Sequence, residues 1–183
     1  NCGYEFDTIS IDVYNGIFTV VQHLIKLGHS KIGYLAGRKD IEVYEQRYKA
    51  YKAALKEAGI KYRDDYVVWD DYTEVGGYSS GRILYLNPDR PTAICASNDL
   101  QAIGCWEAIK DITDDGEHHV AVTGMDNLNI SKILGITSLD MKETQMGERA
   151  AKMILGRLSG TGNISQNIYL RPELKIRDSS FYQ

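Results

Sequence analysis

The stretch AICASNDLQAIG, residues 93–104, joins two unlike patterns. Ala93-Ile94-Cys95-Ala96-Ser97 is a continuous run of small and apolar residues, the pattern of a strand covered on both faces. The run stops at Asn98-Asp99, and an apolar helical pattern follows to about Lys110. Asn is a strong helix N-cap, and an acid in the first turn opposes the positive end of the helix dipole. Asp99 is therefore assigned to the helix start. Asn98 is either a cap alone or a cap that also faces a ligand.

The same joint recurs on either side. Residues 9–13 read as a short strand, followed by Ile17, Val20, Val21, Leu24 and Ile25 at helical spacing, with Gly28 as a stop. Residues 32–36 read as a buried strand. Tyr44, Tyr48, Tyr51, Leu55 and Ala58 mark a helix face ended by Gly59, and 66–69 is a strand. Thr73 with Glu74 looks like the cap and first turn of a helix to about Leu86. Further strands are expected at 119–123, 136–139, 167–170 and 174–177, with a helix from about Glu143 to Leu158. Alternating strands and helices, with near-continuous apolar strands, give an α/β fold: a parallel sheet with helices on both faces. Right-handed crossovers put every strand's C-terminal end on one edge, where ligands of such sheets bind.

The residues after each strand show what that edge carries. They are Asp12, Gly37-Arg38, Asp70-Asp71-Tyr72, Asn98-Asp99 and Gly124-Met125-Asp126-Asn127. Helix capping needs one such polar residue per helix, and these exceed it. Carboxylates, amides and an Arg fork suit vicinal hydroxyls, and an aromatic face suits the C–H surface of a sugar ring.

Composition narrows the class. The 183 residues carry a formal net charge of -4, against a nucleic-acid surface within this chain. Cys2, Cys95 and Cys105 are an odd count without CxxC spacing, which argues against disulfides or zinc and fits a reducing cytoplasm. No apolar run approaches the ~18 residues of a membrane span, and no signal peptide is visible. No GxSxG, HExxH, GxxxxGK[ST] or strand-following GxGxxG occurs. Gly76-Gly77-Tyr78-Ser79-Ser80-Gly81 falls inside a predicted helix, so it is no phosphate loop, and His118-His119 reads as a solvated pair. No metal or cofactor is expected. Acids at strand ends leave a metal-assisted phosphoryl-transfer enzyme as the enzymatic alternative.

HLIKLGHSKIGYLAG (23–37), RYKAYKAALKEAGI (47–60), YTEVGGY (72–78), PTAICASNDLQAIG (91–104), VAVTGMDN (120–127), ITSLDMKETQMGERAAKMIL (136–155) and LRPELKIRDSS (170–180) together resemble the lactose-repressor (LacI/GalR) family of transcriptional regulators. The likeness is to the effector-binding core and covers almost the whole chain, in order. It implies a type I periplasmic-binding-protein-like fold, with two lobes joined by three crossovers and a small effector between them. Residues 12–140 and 171–183 would form the C-terminal lobe, and 1–11 and 141–170 would be remnants of the N-terminal lobe. The helix-turn-helix that binds operator DNA would be absent from this chain.

By the same resemblance Arg47, Asn98 and Asp126 grip effector hydroxyls, Tyr72 covers a ring face, and Ile11 and Met141 wall the pocket at the crossovers. Each has a plainer alternative: a surface Arg, a cap, a turn acid, a cover for a helix end. Val43 stands where many sugar-binding members have a polar residue, as Met141 does for some, which leaves the ligand's identity open. The Pro that usually precedes the strand at 119–123 is lacking. The implied protein is a cytoplasmic, homodimeric, non-enzymatic sensor. Alternatives are an exported sugar-binding protein of a transporter and a regulator that answers a protein partner. The helix at 143–158 should have a poorly buried apolar face, or one covered by another chain, and the fragment should bind effector weakly.

Overall fold

The computed structural model of the chain describes residues 6–113, 120–160 and 165–181. Cys2 and the His118-His119 pair lie outside these residues, as does the start of the strand expected at 119. The elements run β1 (Thr8–Ile11), α1 (Val13–Lys26), β2 (Ile32–Ala36), α2 (Glu42–Glu57), β3 (Val67–Trp69), α3 (Glu74–Tyr85) and β4 (Ala93–Ala96). Then come α4 (Asp99–Ile112), β5 (Ala121–Met125), α5 (Asn129–Ile133), β6 (Thr137–Asp140), α6 (Glu143–Leu158), β7 (Asn167–Leu170) and β8 (Glu173–Lys175).

Six strands form one sheet in the order β3-β2-β4-β5-β6-β8, and β1 and β7 form a separate parallel pair. The first five strands of the large sheet are parallel, and β8 runs antiparallel to β6 at the edge. The pairing Thr123↔Thr137, Gly124↔Ser138 and Met125↔Leu139 carries β5 two residues past its expected end. The short helix α5 has too few residues to show a helical period, and sequence reasoning missed it.

Strand side chains alternate between two cores, which is why the strands read as unbroken apolar runs. Ile32, Tyr34, Ala36, Ala93 and Cys95 join Ile17, Val20, Val21 and Leu24 of α1 and Ala50, Tyr51, Ala54 and Leu55 of α2. Leu35, Ile94, Ala96 and Val122 face Leu84 of α3 and Ala102, Ile103, Cys105 and Ile109 of α4. Each fully buried aliphatic side chain contributes roughly 1.5–3 kcal/mol of apolar transfer.

The glycine-rich run of α3 is a helix contact surface. A Cβ on Gly77 would overlap the backbone of Gln101, and one on Gly104 would overlap the carbonyl oxygen of Glu74. The two backbones thus meet without intervening side chains, which brings the loop before α3 against the start of α4.

The helix α6 buries none of its residues. Ile154, Leu155 and Leu158 are 61%, 64% and 80% exposed, as the isolated apolar face implied, while Met146 is half-buried. Ile9, Met146, Ala150, Met153, Ile154 and Leu158 line a concavity of about 490 Å³.

Gly104→Ala is expected to destabilise the chain by about 2 kcal/mol through overpacking. The same change in an exposed helix stabilises by about 1 kcal/mol, so urea unfolding reads the sign directly. A neutral or stabilising result would mean that the helices do not meet at Gly104.

Candidate functional site

The parallel order β3-β2-β4-β5 brings the C-terminal ends of four strands side by side. Asn98 caps α4: its Oδ1 accepts the Gln101 N–H at 2.8 Å. Its Nδ2 donates to the Tyr72 carbonyl at 2.7 Å. One amide therefore fixes both the helix start and the loop after β3. Gln101 extends the stitching, with Nε2 donating to the carbonyls of Ala36 (3.1 Å) and Asp71 (3.2 Å). Its Oε1 accepts from the Ser97 hydroxyl at 2.6 Å. Gln101 is completely buried, and sequence reasoning missed it because its bonds to Ala36 and Asp71 are non-local.

Arg47 reaches this edge from α2. Its Nη1 donates to the Ser97 carbonyl at 2.6 Å, and its Nε is buried with no hydrogen-bond partner among the described residues. Buried donors are nearly always paired, so an orphaned guanidinium nitrogen points to a group that comes from elsewhere. The Arg47 Cζ lies 5.3 Å from the centroid of the Tyr44 ring. Tyr44 in turn faces Tyr72, with centroids 6.0 Å apart and planes 22° apart. Tyr44 was readable only as a helix-face residue. Gly37 makes its seat, because a Cβ there would collide with the Tyr44 ring.

Asp126 approaches from β5. It and Asn127 have φ of 110° and 52°, the left-handed region. Strain of this kind, in a residue other than glycine, is held only by surrounding bonds and clusters at functional sites. The Asp126 N–H donates to the Leu139 carbonyl at 2.9 Å. Burial pushes the Asp126 carboxyl up to about 6; the Arg47 charge opposes the rise, while Asp99 and Glu143 add to it. Arg47, Tyr44, Tyr72, Asn98 and Asp126 therefore share one edge. Amide, guanidinium, carboxyl and two rings can bind a small polyhydroxyl molecule by hydrogen bonds and ring contact.

The other strand-end residues answer to the fold. Asp12 caps α1, accepting from the Asn15 N–H. Asp70 accepts from Ser80 at 3.2 Å, and Arg38 pairs with Asp40 on the surface. Ile11 and Met141 pack with the apolar cluster under α1 and α2, and Met141 is 5% exposed. Asp99 begins α4 as expected, but its carboxylate turns away from the helix end to Leu128, Ser131 and Ser138, a role larger than dipole compensation. Burial pushes the thiols of Cys95 and Cys105 up to about 12, so neither is a nucleophile near neutral pH. Among the described residues no group of three or more His, Cys, Asp or Glu could hold a metal ion, and no helix is long and apolar enough to cross a membrane.

A family model described as a periplasmic binding protein-like domain matches residues 21–180. Among curated proteins the chain is 30% identical to the HTH-type transcriptional repressor PurR of Mannheimia succiniciproducens, covering 96% of this chain and 53% of that protein. The chain belongs to the LacI/GalR regulators, as a periplasmic-binding-protein-like effector domain. It is also 29% identical to the ribose operon repressor of Escherichia coli K12, over 87% of this chain and 49% of that protein. A LacI-family regulatory protein from Chloroflexus aggregans superposes with a TM-score of 0.86 at 26% identity, over 98% of this chain and 65% of that one. The transcriptional regulator CelR in complex with cellobiose gives 0.82 at 26%, over 96% and 54%. This LacI/GalR chain spans about half the length of the curated relatives it matches.

The raised Asp126 carboxyl sets a pH dependence. From about pH 4 to 6 the folded chain holds a proton that the unfolded chain has released, so this group's contribution to stability falls as pH rises through that window. Asp126→Asn removes the fall. Above pH 6 the variant should be more stable than the wild type by no more than about 3 kcal/mol. Urea unfolding of both proteins at pH 4.5 and 7 checks this, and equal differences at the two pH values would contradict it.

Proposed function

We propose that the chain is the ligand-sensing part of a bacterial transcriptional repressor, and that a small polyhydroxyl effector, a sugar or sugar derivative, binds at the Arg47–Asn98–Asp126 edge. The observation that carries the reading is the orphaned Arg47 Nε beside a strained Asp126 and the Tyr44–Tyr72 shelf. Asn98 spends one lone pair and one hydrogen on the fold, and an amide has a second of each to offer a hydroxyl. Tyr72 is 44% exposed, so its ring is available as a cover. Ile11 and Met141 act from below, as the apolar floor of the crossovers. A relative named as the ribose operon repressor and a neighbour in complex with cellobiose support a sugar over other polyols. No catalytic role is assigned to any of these groups.

In this reading residues 12–140 and 171–183 form one lobe. The β1–β7 pair and α6 belong to a second, whose remainder covers the apolar concavity between Ile9 and α6. Effector bridging both lobes favours one arrangement over another, which alters operator binding by a homodimer in the cytoplasm through a separate helix-turn-helix. Differential affinity for the two arrangements is the only source of such a switch. The repressor relatives favour this regulator over an exported sugar-binding protein of a transporter.

A thermal-shift panel of D-ribose, cellobiose and other mono- and disaccharides on the full-length protein tests the proposal. Arg47→Ala and Asp126→Ala should each weaken the responding sugar at least about tenfold, the loss of one or more charge-assisted hydrogen bonds. Affinity in the wild type should rise between pH 5 and 7, because a hydroxyl donates to the ionised form of Asp126. Unchanged binding in both variants would sink the site.

A further inference from the structure

Asp99 is fully buried and makes no bond to its own helix end. Its Oδ2 accepts the Leu128 N–H and the Ser131 hydroxyl, both at 2.7 Å, and its Oδ1 accepts the Ser138 hydroxyl at 2.6 Å. The Ser138 oxygen in turn accepts the Asn127 N–H at 2.9 Å. These bonds grip the left-handed Asp126–Asn127 turn on both sides: through Ser138 on β6, and through the start of α5. Arg177 adds a third hold, with Nη2 donating to Asn127 Oδ1 at 2.5 Å and Nη1 to the Ile136 carbonyl at 2.6 Å.

Gly124 shows that the grip depends on a close fit. A Cβ there would collide with Asp99 Oδ1 and crowd Ala102. The glycine two residues before Asp126 is therefore the space in which the Asp99 carboxylate lies. The Asn98-Asp99 and Gly124-Met125-Asp126 pairs interlock: the second element of the first motif occupies the gap left by the first element of the second.

We infer that Asp99 is a positioning residue for Asp126, holding the strained turn in place by its three hydrogen bonds and setting its carboxylate beside that turn. The groups that face Asp126 are Arg47 and Tyr44 from α2, Asp99 from α4 and Glu143 from α6. Arg47 and the Asp99 backbone N–H, which donates to this carboxyl, favour the carboxylate, and the charges of the two acids favour the carboxylic acid. Around Asp99 itself stand Arg177, Ser131, Ser138 and the Leu128 N–H, which favour its ionised form, while burial, the largest effect, opposes it. Two buried or half-buried carboxyls this close do not both ionise freely, so removing one charge lowers the proton affinity of the other.

The functional meaning rests on Asp126 as an effector group, whereas the test needs no ligand. The side-chain carboxyl of Asp126 is titrated by carbon NMR in the full 183-residue chain. In Asp99→Asn, which keeps the shape, the Asp126 midpoint should fall by about half a unit or more, as loss of a neighbouring like charge requires. An unchanged midpoint overturns the electrostatic half of the inference. Ser138→Ala leaves the Asp99 charge and folds on milder terms. There the Asn127 amide should exchange about tenfold faster while Ile94 and Cys95 in β4 keep their protection, the signature of a local release. Unchanged exchange at Asn127, or an equal rise throughout β4, overturns the positioning half. Both changes with sugar binding unaltered would count against the site alone.

Discussion

The amide of Asn98 is bonded at both ends, and the geometry of the polar edge follows from that. Without its Oδ1, the N–H of the fully buried Gln101 would be an unsatisfied donor at the helix start. Without its Nδ2, the carbonyl of Tyr72 would have no tie to α4. The two bonds hold a helix and a loop from different strands at a fixed separation. The glycine faces of α3 and α4 allow that separation to be short. Tyr72 can lie over Tyr44 only because its backbone is pinned there, and Arg47 then fills the space beneath.

Much of this was legible in the sequence, for reasons that differ by element. The strands at 32–36 and 93–97 read well because both faces are buried, and no polar residue interrupts the run. Thr73 and Asn98 read as caps because the chemistry of a cap is local to four residues. The C-terminal edge read as polar because strand ends lie on one side of a parallel sheet whatever the loops do. What failed to read was non-local. Asp99 looked like a dipole charge because its true partners lie 29, 32 and 39 residues away. Tyr44 looked like core because its periodicity matches Tyr48 and Tyr51, and only Gly37, on another element, shows why its ring lies at the mouth. The contact surface made by Gly77 and Gly104 did not read because helix propensity is silent about a neighbouring helix.

The strand-end acids carry the ligand-site expectation unevenly. Their number suggested a ligand, yet Asp12 and Asp70 are consumed by local bonds. The signal lay instead in the residues whose bonding is incomplete or strained. Arg47 keeps a buried nitrogen unpaired, and Asp126 keeps a proton above the usual carboxylate range in a backbone region that costs of order 1–3 kcal/mol. A fold optimised for stability alone would relieve both. Counting polar residues at an edge therefore says less than asking which of them the fold leaves unsatisfied.

This division bears on how a bound molecule could shift one arrangement of the chain relative to another. Asn98 is tied to the body of the sheet through Gln101 and Tyr72, so in the proposed reading a ligand meets it alike in every arrangement that keeps the sheet intact. Its contribution is then uniform, and uniform affinity shifts no equilibrium. Glu143 is different. It begins α6, immediately after Lys142 with its φ of 58°, and its charge adds to the rise at Asp126. Any movement of α6 relative to the sheet changes the distance between these two acids. Ionising Asp126 on a ligand's hydroxyl raises the repulsion with Glu143 where the two are near, and costs less where they are apart. In the proposed two-lobe reading, the energy that distinguishes the arrangements therefore enters at the junction before α6, and the tightly bonded strand edge gives it a fixed point to act against.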